Sequence, residues 1–313
     1  MTVGIYLANG LEAVVITDSR VSSGIRQSDS VDKLGRFSNT NYHGAIFGTG
    51  IANTIERLFK KLDDTSGVHL EEFAQGLKQP LQDWAYQSEQ EWLDAQKKDI
   101  EKAAFLIQEP RKKVRFIEKL TKQIQEKYLM SKQHDREHDR YIADFALVAF
   151  DKEADRIKAF RINEQGVTPW ESAHIEIGSG NDGANLYFSK ELQGLDSKRL
   201  TLPQLAFFAM NAYSNSTVNR GVGGTPKVAR ISAKGCNVLP TRDARLLANL
   251  SGIYLSGLRH SKLPKEKLQF FIKGILDKQE PYGLISRALR IDESMLTRVY
   301  IPYSSWQETA NSR

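Results

Sequence analysis

Thr2, Asp18 and Lys33 are the residues of this chain whose types and spacing suit covalent chemistry. Once Met1 is removed, Thr2 carries a nucleophile and a base together, because its own free α-amine can take the proton from its hydroxyl. Threonine is small enough for an ordinary methionine aminopeptidase to expose it. A lysine beside that amine raises the cost of protonating it, from a starting pKa of about 7.7 to 8.0, so the amine stands more often as the neutral base near pH 7. An adjacent carboxylate holds the lysine ammonium in place. Each residue thus has a role: Thr2 attacks, its amine relays the proton, Lys33 tunes and Asp18 orients.

The elements that must position these groups are legible around them. Residues Thr2 to Ala8 and Glu12 to Asp18 are rich in β-branched and apolar types, and Asn9-Gly10 between them is a strong signal for a two-residue hairpin turn. Centring the turn on Asn9-Gly10 would put Ala8 opposite Leu11 and Thr2 opposite Thr17, with Asp18 beside the chain terminus; a one-residue bulge would not move Asp18 far. Lys33 follows a polar loop with Ser22, Ser23, Gly24 and Ser28 to Ser30, and opens a second strand pair, Leu34 to Ser38 and His43 to Thr49. Further strands are expected at Phe145 to Phe150, Arg156 to Ile162 and Lys227 to Ser232, with helices at Ala184 to Leu195 and Leu202 to Asn215.

The runs Thr2-Val-Gly-Ile, Thr17-Asp18-Ser19-Arg20 with Gly24, Asp32-Lys33-Leu, Gly48-Thr-Gly50-Ile-Ala52 and Gly178-Ser179-Gly180 occur in that order. Together they resemble the proteasome β-type subunit family, the threonine N-terminal nucleophile hydrolases. The character is that of the bacterial relatives, the peptidase subunit of the two-component ATP-dependent protease and the ancestral β-subunit group Anbu, since nothing but Met1 precedes Thr2. The Thr2 to Asp18 separation is the family's, while Lys33 sits one residue early. The resemblance covers about two thirds of the chain. It implies an α+β fold, a four-layer α/β/β/α sandwich of two antiparallel sheets, and assembly into a ring or open spiral of like subunits. It also implies a backbone oxyanion donor at Gly50 or Thr49, and a role for Ser179 near the α-amine in moving its proton. Where the family has an aspartate and, three residues on, a serine before a Gly-Gly pair, this chain has Asn219 and Val222.

Composition excludes several other classes. The chain has 313 residues, 40% of them hydrophobic, enough for one large domain with a normal core. One cysteine, Cys236, excludes an intrachain disulfide framework and any cysteine-based zinc cluster. It reads as a structural thiol. No stretch reaches the roughly 20 apolar residues that span a bilayer, and no signal peptide opens the chain, so a cytoplasmic protein without membrane attachment is expected. A net charge of +6 would allow a nucleic-acid partner, but the basic residues alternate with acidic ones as on a solvated helix face, which argues against one.

Between about Ala52 and Arg140 the periodicity is helical, with Pro80 and Pro110 as expected breaks. The family has two helices here, so residues 84–140 read as an added helical insertion, between core segments 2–83 and 141–240 of a single domain spanning 1–313. His134-Asp135 and His138-Asp139 place two imidazoles on one helical face. No zinc-protease glutamate accompanies them, so a hydrophilic helix end is the reading, and no metal or other cofactor is expected. Gly221-Val-Gly-Gly224 lacks the lysine of a phosphate loop, and Trp84 and Trp92 read as helix packing. From Thr241 an extension to 313 holds two helices separated at Pro264, then a strand at Leu296 to Ile301.

The activity so implied is hydrolysis of peptide or other amide bonds through an ester on Thr2. Three variants stay open: transpeptidation, a small-molecule amidase, and a scaffold subunit with little catalysis. The expected partners are a peptide or protein substrate, further copies of the chain, and an unidentified unfoldase or other protein.

Overall fold

The computed structural model describes residues 3–19, 21–23, 26–28, 33–50, 52–62, 67, 69–105, 107–137, 143–178, 180–217, 224–256, 264–278, 281–298 and 301. Thr2, Ser179, Asn219, Val222, His138 and Asp139 lie outside them, as do Gly221 to Gly223 and the side chains of Trp92 and His134.

Two five-stranded antiparallel sheets carry the architecture. The first has the order β10-β1-β2-β11-β12, from β1 (Gly4–Ala8), β2 (Glu12–Thr17), β10 (His174–Ile177), β11 (Lys227–Ser232) and β12 (Gly235–Val238). The second has the order β5-β6-β7-β8-β9, from β5 (Leu34–Ser38), β6 (Tyr42–Gly50), β7 (Ala143–Asp151), β8 (Arg156–Asn163) and β9 (Val167–Trp170). The expected polar loop holds a small separate hairpin, β3 (Val21–Ser23) with β4 (Arg26–Ser28).

Strand alternation builds the layers. Tyr6, Ala8, Ala13 and Val15 face Leu34, Ala45, Phe47 and Val148 in a core between the sheets. Their neighbours Ile5, Leu7, Val14 and Ile16 point the other way, onto the helices α4 (Asn181–Glu191), α5 (Leu202–Ser216), α6 (Thr241–Leu255) and α7 (Lys265–Leu276). On the far side, Ile46, Phe145 and Leu147 meet α1 (Ala52–Lys61) and the start of α2 (Leu70–Ala104). The molecule is therefore the expected four-layer α/β/β/α sandwich.

The β1–β2 register differs from the expected one. Gly4 pairs with Thr17 and Ala8 with Ala13, so Gly10 and Leu11, rather than Asn9 and Gly10, are the central residues of the turn. Asn9 decides this. Its N–H donates to the Glu12 carbonyl (3.1 Å), and its side-chain oxygen accepts from the N–H groups of Leu11 (2.9 Å) and Glu12 (2.8 Å). Gly10 then takes the first central position with φ +94°, as a type II′ turn requires.

Pro80 does not end a helix; α2 runs through it because Leu70, Phe73, Leu77 and Leu81 form a continuous stripe on the second sheet. Pro110 does open α3 (Pro110–Glu137), where a missing N–H leaves nothing unpaired. Pro264 caps α7 as a break should. The chain then forms α8 (Tyr282–Leu289) and α9 (Glu293–Arg298). The expected strand at Leu296 to Ile301 is thus helical through Arg298. Asp292 starts that last helix by accepting from the N–H groups of Ser294 (2.8 Å) and Met295 (3.3 Å).

Candidate active site

Several chain segments meet at one end of the sandwich. β1 starts there and β2 ends there, paired as Gly4 with Thr17. β10 ends at Ile177 opposite Gly4, so the backbone leading toward Ser179 leaves the sheet beside the start of β1. β11 begins at Lys227 opposite Thr17. From the second sheet, Lys33 precedes β5 and Gly50 closes β6. The two sheets touch at this end through Gly4. A Cβ there would lie 2.5 Å from the ring of Phe47, so only glycine admits the approach.

At the centre stands a buried ion pair. Lys33 Nζ donates to Asp18 Oδ1 at 2.9 Å, with side-chain exposures of 1% and 0%. The same oxygen accepts the backbone N–H of Val3 at 3.1 Å, and the Asp18 N–H donates to the Val3 carbonyl at 3.2 Å. Asp18 is therefore fixed to the residue that follows Thr2, from both its main chain and its side chain. Asp18 lies beside Val3, near the terminus as the spacing suggested, though through a register shifted by two residues. Lys33 meets it from the other sheet. A charge-assisted bond out of water is short and strongly directional, so the lysine ammonium is held at one position.

Gly50 and Thr49 differ in where their amides point. The Gly48 N–H donates across to the Lys33 carbonyl at 3.4 Å, and alternate residues of a strand direct their N–H groups to opposite neighbours. Thr49 is thus turned to Asp144 on β7, with which it pairs, and Gly50 to the side of Lys33, past the end of β5. This end of β7 is stiffened by a two-bond fork from Arg161 to Asp144, both contacts 2.9 Å.

Two hydroxyls beside the ion pair carry no expectation from the sequence. Thr17 Oγ1 and Ser19 Oγ are buried on either side of Asp18 without a hydrogen-bond partner among the described residues. The Thr-Asp-Ser run named their positions, but not their burial. Nearby on β10, burial pushes the Glu176 carboxyl up to about 7 and holds the His174 imidazole below its ordinary value, with His174 Nε2 3.6 Å from Glu176 Oε1. Cys236 lies on β12, half-buried, its thiol pushed up to about 11 by burial against a smaller opposing effect of Arg36. That suits the structural thiol expected.

Two solved structures share the overall fold. A Gly-1 mutant of Anbu from Hyphomicrobium sp. strain MC1 superposes with a TM-score of 0.54, covering 83% of this chain and 96% of that one at 11% identity. Anbu, the ancestral beta-subunit, from Yersinia bercovieri gives a TM-score of 0.53 over 84% of this chain and 98% of its own at 12% identity. This chain has the Anbu fold. The likeness to Anbu is one of architecture, as the low identity dictates. Both Anbu chains are matched almost end to end, whereas about a sixth of this chain has no Anbu counterpart. No protein-family model matches the chain, and no curated protein matches its sequence.

Proposed function

We propose that this chain is a threonine-dependent amide hydrolase whose nucleophile is Thr2, exposed by removal of Met1, and that it acts on peptides within an assembly of like subunits. The observation that carries this reading is the buried Lys33–Asp18 pair fastened to Val3, one residue from the nucleophile. A cation and a carboxylate that are both out of water, at the start of the first strand, are an expensive arrangement for a fold that needs neither for packing.

In the proposed reaction the Thr2 hydroxyl oxygen attacks the substrate carbonyl carbon while the Thr2 α-amine takes its proton. Lys33 keeps that amine neutral through its own charge, and Asp18 holds Lys33. The amine then delivers the proton to the leaving nitrogen, the C–N bond breaks, and an ester remains on Thr2. Water, deprotonated by the same amine, attacks the ester carbonyl; the bond to the Thr2 oxygen breaks, the amine returns the proton to that oxygen, and the acid is released. Of the Gly50 and Thr49 amides, that of Gly50 is the better oxyanion donor, because its N–H is turned to the Lys33 side and that of Thr49 to β7. Such a donor contributes about 2.7 to 4 kcal/mol to the transition state. Ser179 is assigned the proton-shuttling role next to the amine. The soluble, cytoplasmic setting fits a chain in which no described helix is long and apolar enough to cross a membrane.

Asn219 and Val222 favour a second reading, a scaffold subunit with little catalysis, because they replace two polar supports of the amine. Intact-mass spectrometry before and after a threonine-directed β-lactone or epoxyketone separates the two. The hydrolase should lose Met1 and gain one adduct that maps to Thr2 and is absent from Thr2→Ala. Retained Met1, or a free Thr2 that never labels, would leave the scaffold.

A further inference from the structure

At the end of the sandwich away from Lys33, roughly 17 Å along β5 at about 3.4 Å per residue, the two sheets frame a concavity. It measures about 570 Å³ and lies between the β5–β6 turn of one sheet and the β11–β12 turn of the other. Its wall holds Arg36, Lys152 and Lys234, and among the described residues it contains no carboxylate. Lys152 is fixed by donating to the carbonyls of Asn39 (3.2 Å) and Thr40 (2.8 Å). Arg36 and Lys234 have no charged side-chain partner among the described residues.

The carboxylates flanking Lys152 are engaged elsewhere. Asp151 pairs with Lys158 at 2.8 Å, and Glu153 lies 3.4 Å from His69. Elsewhere on the molecule basic side chains commonly stand beside acidic ones, as Lys97 does with Asp94 and Lys112 with Glu109. Three cations around one hollow repel each other. His43, buried and stacked on Phe150 with ring centroids 5.8 Å apart, donates from Nε2 to the Ser232 carbonyl at 2.6 Å and ties the two turns together. Positive charges brought together from a strand and two turns, with space between them, are complementary to a multiply charged anion.

We infer that this cavity is a binding site for a small polyanion, a molecule bearing phosphate or several carboxylates, separate from the Thr2 site. Arg36 and Lys234 supply contacts from its two sides, and Lys152 a charge held in place by the β5–β6 turn.

Calorimetric titration of the full chain with inorganic pyrophosphate, and separately with citrate, at matched ionic strength tests this. Saturable binding of one molecule per chain is expected for at least one probe, weakened tenfold or more in Arg36→Gln/Lys234→Gln. Both residues are surface cations, so the double variant should melt as the native protein does; if it does not, Lys234→Gln alone, on the exposed turn, should still weaken binding at least threefold. Pyrophosphate alone would assign phosphate chemistry, citrate alone carboxylate chemistry, and both a site that reads charge number. Lys273→Gln, an exposed charge on α7, should bind unchanged, as should Thr2→Ala. The inference is overturned if neither probe binds saturably, if the Arg36 and Lys234 variants bind like the native protein, or if Lys273→Gln weakens binding as much.

Discussion

Asp18 and Lys33 are each worth more to the fold together than either is alone. Removing one partner of a buried pair strands the other charge out of water, at a cost of about 3–5 kcal/mol. Lys33→Met is therefore expected to lower stability by that amount in urea unfolding, and to abolish labelling of Thr2. A variant that unfolds at the native urea concentration would mean the pair is not buried as described. Glu176 has the opposite character, since its Oε1 is buried without a hydrogen bond among the described residues. Its carboxyl titrates at about 7 when folded, above its ordinary value near 4.5, so the folded state binds the proton more tightly. Stability from this group is fully present below about pH 4.5 and falls as the pH rises to about 7, by on the order of 2–3 kcal/mol. Glu176→Gln should remove that fall and raise stability at pH 8. His174 acts with the reverse sign: burial lowers its value, so it costs stability as the pH drops below about 6.5. The difference between native and Glu176→Gln curves isolates the carboxyl, and parallel curves would refute its assignment.

Among the elements, the first hairpin and the contact at Gly4 set the precision of the site. A Cβ at residue 4 would meet Phe47 at 2.5 Å and 2.8 Å and Ile177 at 3.1 Å, all of them groups without free space. Gly4→Ala should cost about 1–3 kcal/mol by overpacking. Because it wedges the sheets apart beside Val3, it should also slow Thr2 labelling more than its stability loss explains. Equal labelling rates would show that the sheet spacing does not position the nucleophile. The strands themselves were legible where alternation is long and bounded: β11 falls on Lys227–Ser232 as read, and β5 on Leu34–Ser38. The register of the first hairpin was not. Asn-Gly suggested a turn centred on those two residues, whereas the Asn9 side chain caps the turn from outside it. Likewise a short apolar run from Leu296 looks like a strand, and only the cap at Asp292, readable as Asp-Glu-Ser, could have revealed the helix. The shorter strands β9 and β12 have too few residues for a period to be visible. The cationic cavity had no signal at all, because its three charges come from separate segments.

For the molecule as a whole, α2 has two distinct halves. Its first part packs on the second sheet through Phe73, Leu77 and Leu81, while its distal part buries Ile100 and Ala104 in company with α3. Replacing residues 90–125 by a short Gly-Ser link should therefore leave the melting temperature of the sandwich nearly unchanged. A fall of more than about 5 °C, on the scale where 1 kcal/mol moves a domain of this size by about 2–4 °C, would show that the hairpin braces the core. Light scattering on the same protein reports whether the hairpin contributes to assembly. The ion pair at the other end bears on descent. A buried pair can often be exchanged whole for apolar residues of similar volume with no loss, or a gain, of stability, while losing half of it is severe. In a lineage released from catalysis, drift would favour the apolar exchange, and the two positions would change together or not at all. On the proposed reading, Asp18 and Lys33 standing side by side are what selection for chemistry would leave behind, and an apolar pair there in a relative would mark a branch without that selection.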